Sequence, residues 1–485
     1  MLSMSHAIGI DLGTTNSAMA IAGDQGHAMI IPNAEGMATT PSVAIWHKGG
    51  FLVGQPALDL VYHAEGAEQL EKHLIRGVKR LIGKIPRGGL SSNGHATDPV
   101  EVSSAILHKL ASDASMYLGY PIRNIVITVP AHFVDYEREA TRKAAEMAGL
   151  RVLQIVNEPS AAALAYTSGQ TGGKAETALV FDLGGGTFDV TVLQLEMQQA
   201  RVLSTKGIEE LGGMNFTTSL VRFLKREYEK AIQTPFPDDG ASSFLIFSVA
   251  EGAKRRLSEA ETTEVYLAPK TGKVARIPIT RQIFTRQIGA ALVSLEVAVQ
   301  EALNGARKAP ADINRVLLCG GSSRIPAVQK MLTELFGRPP EASLDLDLSV
   351  AFGAAYLATT YHEPGLQQLV DCVSYSVGIA LKDARGADMK SILLHPGDPL
   401  DVWSKPPLPV KILTSAAAFP PIRVYTGDSE EIEEKDYLGS IACQLPSDTQ
   451  PGTVATVEMR QNRNGQIEIN INVGGKSLPC GLQRL

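Results

Sequence analysis

Two stretches of the chain carry the same pattern of apolar and polar positions. Residues 8–21 read IGIDLGTTNSAMAI and residues 180–193 read VFDLGGGTFDVTVL. In each, apolar residues lead to Asp-Leu-Gly, a small-residue turn follows, and apolar alternation with a period of two resumes. That period predicts a β-hairpin with an acidic residue at the mouth of its turn. Asp11 superposes on Asp182, Gly13 on Gly184 and Thr15 on Gly186. A dinucleotide-binding or Walker loop must run from strand into helix, and neither copy does. The tail segment Gly474-Gly475-Lys476-Ser477 resembles a Walker end, but Asn470 stands where the leading glycine is required.

Between and after the repeats the period changes. Residues 101–118 place Val102, Ala105, Ile106, Leu110 and Tyr117 at helical spacing, and 125–129 (IVITV) is a buried-strand run closed by Pro130. Asp135 is the expected N-cap of a helix that stops at Gly149. Strand VLQIV leads into Asn157-Glu158-Pro159 and a second helix, SAAALAY. Helices are predicted over 217–232 and 281–303, with a strand pair around 263–279. Val316–Cys319 then runs as a strand into Gly320-Gly321-Ser322-Ser323-Arg324, Pro326 opens a helix, and 349–359 is another. Alternating strands and helices in two similar halves imply an α/β protein built by duplication. After Tyr361 the helical pattern ends, prolines multiply, and TVATVEM and QIEININV flank Asn464-Gly465, a hairpin signal. The expected organisation is 1–361, a linker over 362–371, and an all-β region over 372–485. The acidic run 428–436 reads as a solvated loop.

Composition narrows the classes. The chain has 485 residues, 44% hydrophobic and 20% charged, so it folds globally and is long enough for about three folding units. Its formal net charge of −6 disfavours nucleic acid as the main partner. Cys319, Cys372, Cys443 and Cys480 are scattered without a C-x-x-C pair, so neither a disulfide framework nor a zinc site is expected, and a reducing compartment is the simpler reading. The start shows no basic and apolar secretory pattern, and no apolar run reaches the length of a membrane span. A cytoplasmic protein without membrane contact is expected.

Two glycine- and threonine-rich turns facing each other can grip a polyphosphate. Glycines let backbone N–H groups approach phosphate oxygens, and Thr14, Thr15 and Thr187 add hydroxyls. Asp11 and Asp182 would repel bare phosphate, so a hydrated Mg²⁺ between carboxylates and phosphates is expected. The loop at 320–324 suits an adenosine or ribose contact, although a buried strand with a glycine turn would look alike. Glu251, Lys254, Arg255 and Ser258 share one helical face, which alone reads as an exposed amphipathic helix. Lys79 alone reads as a solvated lysine, and Glu158 as a helix-start carboxylate.

Taken together, GIDLGTTNS at 9–17, VKRLIG at 78–83, VITVPAHF at 126–133, NEPSAAALAY at 157–166, FDLGGGTFDVTVL at 181–193, AKRRLS at 253–258 and GGSSRIP at 320–326 resemble the DnaK-type heat-shock chaperones in order and spacing. The resemblance is strong over about 7–360 and fainter over 371–480. It implies an actin-like (ribonuclease H-like) ATPase of two lobes, followed by a β-sandwich that clasps extended, unfolded peptides. It implies ATP/ADP and Mg²⁺ as ligands, with K⁺ as a further cation, and ATP hydrolysis as the activity. By position, Lys79 resembles the lysine on the γ-phosphate and attacking water. Glu158 and Asp182 match carboxylates that order that water and the metal's hydration shell, and Asp11 matches the other metal-side carboxylate. Thr14, Thr15 and Thr187, with Gly13, Gly184, Gly185 and Gly186, resemble phosphate ligands. Gly212 and Gly213 belong to the second-lobe glycine segment. Glu251, Lys254, Arg255 and Ser258, with Gly320, Gly321, Ser322 and Arg324, occupy adenosine-clamp positions, and Pro130 and Arg138 those that relay nucleotide state.

Several positions depart from the family. Ile208 stands where an acidic residue is usual, and Gln154 where a basic residue used in J-domain docking is common. The linker LQQLVD (366–371) is more polar than usual, Lys382 replaces a groove-lining apolar residue, and Pro420 falls in a groove strand. The chain reaches Leu485 shortly after the sandwich, so a short, lidless, divergent member near the specialised HscC type is expected. Expected partners are unfolded clients, a J-domain cochaperone and a nucleotide-exchange factor, with a monomer as the working form. The rival readings are a phosphotransferase on the same duplicated core and a nucleotide-gated scaffold without a peptide clamp.

Overall fold

The computed structural model describes residues 7–23, 28–63, 70–167, 175–196, 199–342, 345–360, 368–370, 372–382, 385–414, 420–463 and 465–481. Each Asp-Leu-Gly segment is a hairpin. Ile8–Asp11 pairs antiparallel with Asn16–Ala22, and Glu176–Leu183 with Phe188–Glu196. Each leading strand has a parallel neighbour on its other side, Asn124–Val129 for the first and Arg315–Cys319 for the second. The hairpins therefore anchor two sheets of matching connectivity. The first runs Arg151–Asn157, Asn124–Val129, Ile8–Asp11, Asn16–Ala22, Ala28–Ile30, with Thr39–Pro41 also on Asn16–Ala22. The second runs Arg315–Cys319, Glu176–Leu183, Phe188–Glu196, Gln199–Ile208, Gln368–Val370.

Small residues let the two sheets approach. The alanine-rich helices Glu158–Thr167 and Ser349–Thr360 join Val126, Val180 and Leu317 in one core. They cross so closely that a Cβ on Gly353 would lie 1.7 Å from the Ala161 carbonyl oxygen. A helix pair with larger side chains could not seat both sheets on one axis. Outside this seam each sheet has its own core, Ile8, Ile10, Ile106 and Leu110 on one side and Phe181, Phe188, Leu220 and Leu318 on the other.

From residue 372 the described chain contains strands and one 3₁₀ turn, Glu434–Asp436, and no α-helix. Two four-stranded sheets enclose Val377, Ile379, Val424, Val457, Ile469 and Ile471. Ile467–Val473 alternates buried and half-buried positions, as its sequence predicts, and pairs antiparallel with Val454–Gln461. Within the connecting loop Gly465 has φ of +84° and Asn464 lies outside the described residues. The acidic run 428–436 is mostly exposed. Val134 and Tyr136 of the first part pack against this β-core, and Gln466 donates to Glu139 at 3.3 Å, so the all-β region rests on the start of helix Asp135–Met147.

Four sequence expectations are corrected. Asp135 is the first helical residue rather than the cap, because Glu137 reaches back to accept the Val134 N–H at 2.9 Å. The helix expected over 281–303 is broken at Ile288 into Arg281–Gln287 and Gly289–Gly305. Pro420 precedes its strand, which begins at Ile422, so no ladder hydrogen bond is lost. Cys443 and Cys480 form a disulfide, with Cα atoms 6.1 Å apart. Cys443 follows the edge strand Tyr437–Ile441 of one β-sheet and Cys480 lies in the edge strand Lys476–Gly481 of the other, and their separation of 37 residues carries no local signature. Of the linker, 362–367 and 371 lie outside the described residues. Gln368–Val370 runs as a parallel strand against Gln199–Arg201, a pairing made by main-chain groups and so indifferent to side-chain polarity.

Candidate functional site

The two hairpin turns meet across a cleft that opens to solvent. Its walls are Asp11, Gly13, Thr14, Thr15 and Asn16 from the first turn, and Asp182, Gly184, Gly185 and Thr187 from the second. Lys79, Glu158, Gly320 and Gly321 complete the predicted set there, with Leu346, Asp347 and Val350 beside them. Glycine is needed where the turns touch. A Cβ on Gly185 would lie 1.9 Å from Thr15 Oγ1, and one on Gly186 2.6 Å from Thr14 Cγ2. Gly185→Ala should therefore push the turns apart and weaken nucleotide binding by about tenfold, the typical ~1–3 kcal/mol of an overpacked contact. Calorimetric titration with ADP and ATP would check it; parental affinity for both would mean that the close approach is dispensable.

At the cleft floor Lys79, on the 3₁₀ turn Val78–Leu81, forms a buried ion pair with Glu158 at the start of its helix. Burial alone would pull the Lys79 ammonium down, but Glu158, Asp11 and Asp182 outweigh it and the ammonium is held above its usual range. Burial pushes Glu158 up to about 7, against the opposing pull of Lys79. Asp182 is pushed well above the carboxylate range by burial and then by Glu158, Asp189 and Asp11. Asp11 is raised by burial too, with Lys79 and a hydroxyl bond from Thr128 at 3.2 Å opposing. One lysine thus faces three carboxylates, an excess of negative charge that asks for a cation.

The donor set tells which kind. Among the described residues no group of three or more His, Cys, Asp or Glu is placed to hold a bare metal ion. Asp11 and Asp182, beside glycine amides and threonine hydroxyls, are the residues that could hold a hydrated Mg²⁺.

The adenosine-clamp positions form a second tier behind the turn. Ser322 donates to the Gly184 carbonyl at 2.9 Å, and Lys254 Nζ to the Gly213 carbonyl at 3.0 Å and to Thr217 Oγ1 at 3.1 Å. Gly213 N–H in turn donates to Gly184 O at 3.0 Å, and Gly212 lies against the Gly185–Gly186 backbone. Glu251 bridges Lys254 and Arg255, whose guanidinium is otherwise exposed. Ser258 is half-buried on the same helix. Arg324 pairs with Asp345 at 2.9 Å and Asp347 at 3.1 Å. Gly186, Gly212, Gly213, Glu251, Lys254, Arg255, Ser258, Ser322 and Arg324 are therefore not among the residues that line the cleft.

Sequence reasoning missed Asp347, which holds Arg324 at the rim, and Asp189, which pairs with His132 at 3.1 Å. Asp189 had a signal, since it stands opposite Asp182 in the hairpin register. Asp347 had none, lying in a polar loop. Behind Glu158, its neighbour Asn157 accepts from Arg138, whose Nε donates to the Phe133 carbonyl at 2.9 Å. A Cβ on Gly465 of the β-region would lie 2.2 Å from Arg138 Cδ. Asn157 and Arg138 thus link the cleft floor to the β-region.

Comparison with known proteins places this arrangement. The family model "Hsp70 protein" matches residues 7–444. A "Chaperone protein DnaK" from Thermotoga petrophila is 36% identical over 449 residues, covering 89% of this chain and 72% of the relative. Those from Deinococcus radiodurans (39% over 416 residues, 80% and 65%) and Thermus thermophilus (39% over 401 residues, 78% and 65%) bear the same name. No helix among the described residues is long and apolar enough to cross a membrane.

Proposed function

The chain belongs to the Hsp70 family, and we propose that it is an ATP-dependent chaperone that hydrolyses ATP in the cleft and holds extended polypeptide in its β-region. The observation that carries this is the pair of Asp-Leu-Gly turns facing across one cleft with the Lys79–Glu158 pair at its floor. In this reading the fold is the duplicated two-lobed actin-like core followed by a β-sandwich, divided at 361 and 372. Backbone amides of Gly13 and Gly184–Gly186 and the hydroxyls of Thr14, Thr15 and Thr187 grip the phosphates. Lys79 stabilises charge on the transferred phosphoryl group and, with Glu158, aligns the attacking water. Asp11 and Asp182 would hold a hydrated Mg²⁺, which when bound would neutralise phosphate charge. Lys254, Arg255 and Arg324 flank the base and ribose, each already oriented by an acidic partner.

Excess chelator should abolish single-turnover hydrolysis and weaken ATP binding, because the carboxylates would then face phosphate unshielded. Turnover that persists without divalent metal would remove the reason for paired aspartates. Peptide-array binding, followed by the effect of ATP on peptide release, tests the chaperone half. A chain that hydrolyses ATP yet binds no peptide would be a nucleotide-gated scaffold instead. Expected partners remain unfolded clients, a J-domain cochaperone and an exchange factor.

A further inference from the structure

We propose that His132 is a positioning residue for ATP hydrolysis, its imidazole bridging the two sheets' halves and holding the Asp189 carboxylate in place beside the cleft. The proposal rests on the ATPase reading above.

His132 lies two residues past Pro130, beyond the end of Asn124–Val129 in the first sheet, and Asp189 lies on Phe188–Glu196 in the second. Their side chains meet at 3.1 Å, Nδ1 to Oδ1, and Asp189 is 1% exposed. Asp189 stands directly opposite Asp182 in the hairpin. Residues directly opposite share one face of the ladder, so its charge acts on the site. It is among the groups that push Asp182 and Glu158 up.

The backbone makes room for this pair. Gly207 is Asp189's partner on the next strand, and a Cβ there would lie 2.7 Å from both His132 Nδ1 and Asp189 Oδ1. Any other residue at 207 would separate them. The groups facing the imidazole are Asp189 from Phe188–Glu196, Glu209 from beyond Gln199–Ile208, and Glu137 from helix Asp135–Met147. All three are acidic, and Lys84 spans the same junction to Glu137 at 3.2 Å and to Glu209 at 2.5 Å. Burial works against the imidazolium, but Asp189 first and then the glutamates outweigh it, holding His132 above its ordinary value of 6.5. When it carries its proton, the imidazole is the cationic partner of the Asp189 carboxylate across the two sheets. Above the His132 midpoint the proton leaves, and Asp189, opposite Asp182 in the hairpin, loses its cationic partner.

The test uses the full chain labelled in its histidine rings, with long-range ¹H–¹⁵N spectra followed from pH 6 to 9.5. The His132 signal is identified by its loss in His132→Gln and, should that variant fold poorly, in His132→Phe. Its midpoint should lie above 6.5 and fall in Asp189→Asn. In parallel, single-turnover hydrolysis of saturating Mg·ATP should decline on the alkaline side with the same midpoint. His132→Gln should be about tenfold slower at pH 7, the size of one lost charge-assisted contact, and should lack that decline. A His132 midpoint at or below 6.5 and indifferent to Asp189→Asn would overturn the pairing. A variant that keeps the parental alkaline decline would overturn the positioning role. A parent chain that hydrolyses no ATP would sink the ATPase reading instead, and the ring titration would still decide the ion pair.

Discussion

Lys79→Ala should slow single-turnover ATP hydrolysis by about a hundredfold or more, since loss of one preorganised electrostatic partner costs ~3 kcal/mol in the transition state. The ammonium is the cation nearest the site's carboxylates, and it is buried against Glu158 with Asp11 and Asp182 close by. Removing it leaves Glu158 facing like charges without its ion pair. That carboxyl, already raised to about 7, would rise further and take up a proton at neutral pH. The variant therefore loses two functions at once, phosphoryl stabilisation and an ionised Glu158. Nucleotide affinity should change much less, because the glycine amides and the second tier around Lys254, Ser322 and Arg324 are untouched. Glu158→Gln added to Lys79→Ala should cost little more than Lys79→Ala alone, since the pair acts as a unit. Rapid-quench measurement of both variants against the parent chain checks this. A Lys79→Ala protein that turns over ATP at the parental rate would move the chemistry away from the cleft floor.

How much of this could be read from residues alone follows from the range of each interaction. The two hairpins were legible because alternation and an Asp-Leu-Gly turn are local signals, and their equivalence appears as a repeat. The ion pair of Lys79 with Glu158 spans 79 residues. By itself Lys79 reads as a solvated lysine, and only its resemblance to a family motif marked it. His132 with Asp189 and Cys443 with Cys480 join segments whose separate sequences say nothing of each other. The break at Ile288 was missed because the apolar period runs straight through it, although Gly289 weakens the helix there. The polar linker departs from the family, yet Gln368–Val370 adds as a strand beside Gln199–Arg201, a pairing decided by main-chain groups that side-chain polarity does not signal.

The contact between the β-region and the first sheet's half should weaken as pH rises, and Asp135 should be the main cause. Its Oδ1 is buried without a hydrogen-bond partner, while its carboxylate accepts the Ile467 N–H of the β-region. Burial, and next Glu139, push it from its ordinary 3.8 to about 6, with Arg138 opposing. Released from the contact, the carboxyl regains water and returns toward 3.8. A group raised in the docked form favours docking fully below its free value and loses that contribution as pH climbs through its docked value. The docking equilibrium should therefore fall about tenfold between pH 5 and pH 7.5. Asp135→Asn removes the buried charge yet keeps an acceptor for Ile467, so at pH 7.5 it should favour docking by up to about a hundredfold and flatten most of the pH dependence. Energy transfer between dyes on the two parts, read with ATP bound, measures the docked fraction. Because the contact reaches the cleft floor through Arg138 and Asn157, and coupling is reciprocal, the variant should also release ATP more slowly. Docking that strengthens toward pH 7.5 in the parent chain would show that the Asp135 charge is compensated at the interface, and the link from this carboxyl to nucleotide affinity would fail with it.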